Sequence, residues 1–244
     1  MELEGLNGKC LQKDVRSMKT SIVIPAYRPT SLLKGCLEGI LQCTDLTDVE
    51  VIVVCNGSER DSADLVLSLG KKFKLVWYEE AIGFTKAANI GFKLAVGEFV
   101  MVMNTDAVIL PYAPRNEWLN RMLEPLKNPK VGITGLGFMW TEFGSFVPFY
   151  CTAIRRSLFY ELGILDEGFS PGYMEDADYC YRARAAGYEI TQVDVARPDP
   201  DKPNMTITDF PIWHAGEQSF QDKEERKKCI ERGHTLLREK WGHK

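Results

Sequence analysis

Histidine is scarce in this chain of 244 residues, with three copies, and the seven cysteines include no Cys-x-x-Cys pair. An odd, unpaired cysteine set argues for a reducing compartment and against structural zinc. Basic charge is not in excess either. The 30 Lys and Arg stand against 34 Asp and Glu, a net charge of −4, which argues against nucleic acid as the main partner. No apolar run is long enough to span a bilayer and no signal peptide leads the chain, so a cytoplasmic location is expected. Neither an internal repeat nor a low-complexity segment nor a clear linker interrupts it.

What is present is apolar bulk in an alternating order. At 45% hydrophobic residues the chain can bury a full core, as one domain or two closely fused halves. Residues 1–18 are polar and irregular and read as a leader, with Met18 directly ahead of the first strand. From Lys19 strands and helices alternate. Ser21 to Ile24 is a strand closed by Pro25-Ala26-Tyr27-Arg28-Pro29, and Thr30 or Ser31 then caps a helix with the stripe Leu33, Cys36, Leu37, Ile40 and Leu41. Val49 to Val54 is a second strand, ended by the turn Cys55-Asn56-Gly57-Ser58. A helix near Ser62 to Leu69, a strand Phe73 to Trp77 and a helix from about Thr85 to Val96 follow. This order predicts an α/β fold with right-handed crossovers and a mostly parallel sheet.

The central run is Phe99-Val100-Met101-Val102-Met103, five apolar residues of the kind found in a strand buried on both faces. It breaks abruptly into Asn104-Thr105-Asp106. In open α/β sheets the C-terminal strand edge is where ligands bind, and a carboxylate there, with an amide two residues earlier, can hold a divalent metal beside a diphosphate. The same three residues also suit a turn that merely ends a strand.

Beyond Asp106 the texture changes. A helix is expected over Glu117 to Leu126, short and partly antiparallel strands over Val131 to Pro148, and a helix over Arg155 to Leu162. The glycines of Gly132-Ile-Thr-Gly135-Leu-Gly137 lack the order of a dinucleotide fingerprint, and no helix opens behind them. Glu175, Asp176 and Asp178 begin a helix that runs to Gly187, where the helix dipole favours carboxylates and keeps them ionised. That suits a general base, and it equally suits helix capping alone. Arg182, four residues after Asp178, assigns Asp178 to an ion pair and leaves Glu175 and Asp176 for chemistry. His214 closes the apolar run Phe210-Pro-Ile-Trp213, either as a satisfied structural residue or as a metal ligand. His234 and His243 read as solvated surface. The final helix, 218–241, carries Ile230, Leu237 and Trp241 on one stripe. Packing on the domain is its first reading and peripheral contact with a membrane surface its second.

Taken together these stretches resemble the family-2 inverting glycosyltransferases of GT-A fold, and among them rhamnosyl- and galactofuranosyl-transferase-like members. The resemblance rests on Ser21-Ile-Val-Ile-Pro-Ala-Tyr27, Val53-Val-Cys-Asn-Gly-Ser58, Gly83-Phe-Thr-Lys-Ala-Ala-Asn-Ile-Gly91, Asn104-Thr-Asp106, Glu175-Asp-Ala-Asp178 with Arg182, and Lys240-Trp-Gly242. It covers about Lys19 to Trp241, with the motifs in the family's order. It implies a Rossmann-like central sheet flanked by helices, with a small antiparallel portion in the acceptor half. Residues 19–108 would form a nucleotide-sugar-binding half and 109–217 an acceptor and catalytic half.

The resemblance also implies roles. Pro25, Ala26, Tyr27 and Arg28 would flank base and ribose, Cys55 and Asn56 would meet the base, and Lys86 and Asn89 would lie near ribose or diphosphate. Asn104 and Thr105 would border the donor, and Asp106, with His214 as a further ligand, would hold a Mn²⁺ or Mg²⁺ that bridges the diphosphate. Asp176, beside Glu175, would take the proton of an acceptor hydroxyl as its oxygen attacks the anomeric carbon with inversion. The implied partners are a nucleoside-diphosphate sugar, UDP- or dTDP-linked, and a glycan or glycolipid acceptor; oligomeric state is unreadable. Trp140, Phe146, Phe149 and Tyr173 are candidates for an acceptor wall or for the core, with Tyr173 the one singled out. Two departures stand out: Cys55 occupies a turn position where relatives commonly carry Asp, and Asn104 replaces the first acid of the usual Asp-x-Asp. They keep a second reading in view, a sugar-nucleotide-binding protein without catalysis. A third, a sugar-phosphate nucleotidylyltransferase, calls for a Gly-rich basic loop after the first strand, where Pro25-Ala26-Tyr27-Arg28 stands instead.

Overall fold

The computed structural model describes residues 20–194, 197–198, 206–207, 209–216 and 222–242. The expected leader, the first residues of the expected 218–241 helix and His243 lie outside the described residues.

The first half builds as the alternation predicts. Strand β1 (Thr20–Ala26) leads to helix α1 (Thr30–Cys43), β2 (Val49–Asn56) to α2 (Arg60–Ser68), and β3 (Phe73–Tyr78) to α3 (Phe84–Leu94). The chain then returns beside β1 as β4 (Phe99–Met103), the five-residue apolar run, and continues into β5 (Ala107–Ile109). Two details of α1 differ from expectation. Neither Thr30 nor Ser31 caps it: Pro29, whose ring carries no acceptor, is the cap residue, and the Thr30 hydroxyl instead donates to the Glu59 carboxylate at 3.0 Å and contacts the Ser62 hydroxyl at 2.7 Å. Leu41 falls off the buried stripe and is exposed.

The second half comprises α4 (Glu117–Leu123), β6 (Val131–Leu136), the hairpin β7 (Met139–Thr141) and β8 (Gly144–Phe146), β9 (Cys151–Arg155), α5 (Ser157–Glu161), α6 (Glu175–Ala185) and β10 (Glu189–Asp194). Short β11 (Arg197–Pro198) and β12 (Thr206–Ile207) pair with each other, and β13 (Ile212–His214) precedes the long α7 (Lys223–Trp241). Arg155 ends strand β9 rather than opening a helix, and the Gly132–Gly137 run is strand β6 with a turn, as read.

The main sheet has seven strands in the order β10-β6-β9-β4-β1-β2-β3. All pairings are parallel except those of β9, which runs antiparallel to β4 and β6. Alternate strand residues feed two cores. Ile22, Ile24, Val51, Val53 and Met101 face the layer of α1, α2 and α4, whereas Val23, Ile52, Val54, Val100 and Val102 face that of α3, α5, α6 and α7. Burial on both faces explains why these strands read as unbroken apolar runs, each fully buried side chain contributing about 1.5–3 kcal/mol. The order reverses between β1 and β4. A crevice therefore opens at their C-terminal ends, the place such sheets bind ligands.

Candidate active site

That crevice is a cavity of about 750 Å³. Pro25, Tyr27 and Arg28 enter it from the end of β1, Asn56 from the end of β2, Lys86 from the first turn of α3, and Asn104 and Thr105 from the end of β4. These are seven of the residues expected around the donor. The floor is tied together by Asn56, whose amide donates to the Ala26 carbonyl at 3.1 Å and accepts from the Gly83 N–H at 3.2 Å. Ser58 donates to the same carbonyl at 2.7 Å, and Arg28 Nε donates to the Gly57 carbonyl at 3.2 Å. Gly83 itself sits at φ +85°, and a Cβ there would lie 2.7 Å from the Pro171 Cα, so only glycine lets α3 start against the 170–171 segment. The Phe84 N–H donates to the Pro171 carbonyl at 2.6 Å.

Three expected donor residues do not line the cavity. Ala26 is buried strand that offers only its carbonyl, already used twice. Cys55, one residue from Asn56 on a strand and hence facing the opposite layer, is fully buried, and burial pushes its thiol up to about 11. Asn89 uses its whole amide elsewhere: Nδ2 donates to the Leu165 carbonyl at 2.9 Å and to Glu167 at 3.1 Å, while Oδ1 accepts from the Leu165 N–H at 3.0 Å. Its work is to pin α3 to the 165–167 loop.

Asp106 and His214 are brought together by a two-stranded pairing. Because β13 runs antiparallel to β5 with His214 opposite Ala107, the imidazole lands beside the preceding carboxylate, with Nε2 3.3 Å from Asp106 Oδ1. The Tyr150 ring stacks on the imidazole at 4.0 Å between centroids and 5° between planes. Despite its closeness to Asp106, buried His214 Nε2 makes no aligned hydrogen bond, and neither does buried Asn104 Oδ1, among the described residues. A carboxylate, an imidazole and an amide oxygen with lone pairs unspent fit a divalent cation. No cluster of three or more His, Cys, Asp and Glu occurs among the described residues, so a cation here would fill its remaining positions with water or ligand oxygens.

The acidic pair is reached through Phe149, the neighbour of Tyr150. Tyr150 accepts the Asn104 N–H on its carbonyl at 2.8 Å, and its neighbour Phe149 directs its own N–H at the Asp176 carboxylate at 3.4 Å. The Phe149–Tyr150 step thus joins the Asn104–Asp106–His214 group to the first turn of α6. There burial works against the helix dipole on both acids, and more strongly on Glu175 than on Asp176, which at about 6 still ionises near neutral pH. It raises Glu175 well above the usual carboxylate range, with the charge of Asp176 adding to it, and lifts Asp176 despite hydrogen bonds from the Ala177 and Phe149 amides. The chain enters α6 through Tyr173 and Met174, both left-handed at φ +78° and +72°. Asp178 is a structural hub as read: fully buried, it accepts from Arg182 Nε at 2.9 Å and from Trp241 Nε1 at 3.0 Å and pairs with Lys240 at 3.0 Å.

Sequence reasoning missed the contribution of α7. Asp222, Glu225 and Arg232 line the cavity, and Arg232 donates to the Gly168 carbonyl at 2.7 Å and to that of Ser170. Gly233 packs so closely that a Cβ would lie 2.7 Å from the Tyr173 carbonyl oxygen. Only the terminal Lys-Trp-Gly hinted at this contact. The strap itself needs three dimensions. The aromatic candidates divide as well: Phe146 and Phe149 are core, whereas Trp140 is 71% exposed.

The sheet order, with its crevice at the switch point, is that of the GT-A fold class. Residues 21–171 match the family described as glycosyl transferase family 2, and the chain belongs to that family. Over 210 residues it is 25% identical to the uncharacterized protein y4gI of Sinorhizobium fredii, covering 69% of this chain and 23% of that one. Over 119 residues it is 31% identical to a poly-β-1,6-N-acetyl-D-glucosamine synthase of Staphylococcus epidermidis, covering 47% and 27%. This chain therefore spans about a quarter of the length of those relatives. The mannosyltransferase PcManGT of Pyrobaculum calidifontis, solved with GDP-Man and Mn²⁺, superposes with a TM-score of 0.60 at 20% identity, over 71% of this chain and 54% of that one. That likeness shows the fold.

Proposed function

We propose that the chain transfers a sugar from a nucleoside-diphosphate sugar to a hydroxyl of a glycan or glycolipid acceptor, with inversion at the anomeric carbon. The observation that supports this reading is the Phe149–Tyr150 step, which links the partly buried Asp176 carboxylate to the Asn104–Asp106–His214 group, whose Asn104 lines the crevice. Pro25, Tyr27, Arg28 and Asn56 hold base and ribose, and Lys86 and Arg28 face the diphosphate. Asp106 and His214 would hold Mn²⁺ or Mg²⁺, which when bound offsets diphosphate charge. Burial, and then the charge of Asp176, pushes Glu175 well above its ordinary value, so Asp176 is the member of the pair read as the base. Asp176 accepts the acceptor's hydroxyl proton, the freed oxygen forms the new bond to the anomeric carbon, and the bond from that carbon to the diphosphate breaks, its electrons leaving with the nucleoside diphosphate.

The test is release of nucleoside diphosphate from UDP-, dTDP- and GDP-sugars with Mn²⁺ and an acceptor panel, with product configuration read by proton NMR coupling. Acceptor-dependent release with inverted configuration is expected. Retention would remove Asp176 as base. Pyrophosphate release from a nucleoside triphosphate and a sugar phosphate would replace the reading by nucleotidyl transfer.

A further inference from the structure

The β7–β8 hairpin is an excursion from the main sheet that begins and ends at the candidate catalytic centre. At its entry the Leu136 carbonyl accepts from the Tyr150 hydroxyl at 3.5 Å, the same ring that stacks on His214. At its exit the Phe149 N–H meets Asp176. Between these stems the hairpin is locked to the helices behind it. The Thr141 and Tyr181 hydroxyls lie 2.7 Å apart, Tyr181 donates to the Gly144 carbonyl at 2.9 Å, Arg184 donates to Ser145 Oγ at 3.1 Å, and Arg238 donates to Glu142 at 2.6 Å.

On this fixed support two large apolar side chains face solvent. Met139 is 51% and Trp140 71% exposed, and the indole is braced edge-on by Phe138 at 6.2 Å. We infer that the Trp140 indole is an outer acceptor subsite on which a sugar ring of a growing glycan stacks while a neighbouring unit presents its hydroxyl to Asp176. The inference rests on the proposed glycosyl transfer. Ring faces carry C–H groups that pack on an indole, and an exposed, pre-oriented aromatic needs little ordering to receive them. Trp140 pairs with Ser145, four residues from Phe149, so the Trp140 backbone lies within roughly 25 Å of Asp176 along the chain, a distance that a glycan of a few units spans. A protein partner fits less well, since two side chains fall far short of the roughly 800 Å² per partner that a stable interface buries.

An oligosaccharide array probed with the intact protein, with Trp140→Ala and with Trp140→Phe tests this. The wild type should retain a defined set of oligosaccharides, Trp140→Ala should weaken retention about tenfold, and Trp140→Phe should stay within about threefold. In parallel, stabilisation by UDP, dTDP and GDP with Mn²⁺ should be equal in all three proteins. Equal retention by Trp140→Ala, or no oligosaccharide retained by the wild type, overturns the subsite; a change in sedimentation on Trp140→Ala without a change in retention overturns it in favour of self-association. If nucleotides still stabilise, only the subsite falls. If none does, the proposed function falls on its own account.

Discussion

Replacing Asp176 by Asn separates catalysis from stability in opposite directions. The carboxyl rises from an ordinary 3.8 to about 6 because the fold desolvates it, so ionising it inside the fold costs up to about 3 kcal/mol. The amide keeps the acceptor for the Ala177 N–H at 2.8 Å but turns an NH₂ group toward the Phe149 N–H at 3.4 Å. Losing that long bond, with the side chain only partly buried, leaves a net gain of about 1 kcal/mol at pH 8. The sign follows from proton counting. Between 3.8 and about 6 the folded wild type binds more protons than the unfolded chain, so its stability falls as pH rises through that window. The variant's advantage is therefore absent near pH 4 and complete above pH 6. Urea denaturation at both pH values, beside transfer and nucleotide-binding assays, reads it out. Transfer should drop by about 10²–10⁴ with nucleotide binding intact. A variant less stable than wild type at pH 8, or one that still transfers normally, refutes the reasoning.

Wild-type transfer should itself rise with pH through about 6, as Asp176 loses its proton, and a profile flat between pH 5 and 8 would contradict its role as base. Gly83→Ala places a Cβ 2.7 Å from the Pro171 Cα in a left-handed backbone, and should cost about 1–3 kcal/mol in thermal denaturation while weakening nucleotide binding. Trp241→Phe removes one of the three partners of the fully buried Asp178, and should cost about 1–3 kcal/mol in urea denaturation with nucleotide binding unchanged.

Most of the first half was legible because a parallel strand buried on both faces writes itself as an unbroken apolar run. Phe99–Met103 is the clearest case, and the polar residues that end each run mark the crevice. What failed was whatever depends on which way one side chain turns. Cys55 and Asn56 are neighbours, yet strand alternation sends the thiol into the core and the amide to the cavity floor. Asn89 looked like a donor contact and is spent on Leu165, a partner far along the chain that no local pattern announces. Strand β9 was missed because Thr152 and Arg155 dilute its apolar character and no helix precedes it. The upward push on Glu175 and Asp176 was not legible because the dipole is visible in sequence, whereas the burial that opposes it is a property of the assembled fold.

In the proposed function the crevice between β1 and β4 holds a nucleoside diphosphate, and Asp106 and His214 would hold a metal beside it. Thermal denaturation of the wild type and of Asp106→Ala with UDP, dTDP and GDP, each with and without Mn²⁺, tests it most directly. The account predicts that one nucleotide raises the melting temperature of the wild type, that Mn²⁺ enlarges the rise, and that Asp106→Ala keeps the first effect and loses the second. No shift with any nucleotide, or an Mn²⁺ increment that survives Asp106→Ala, would contradict it.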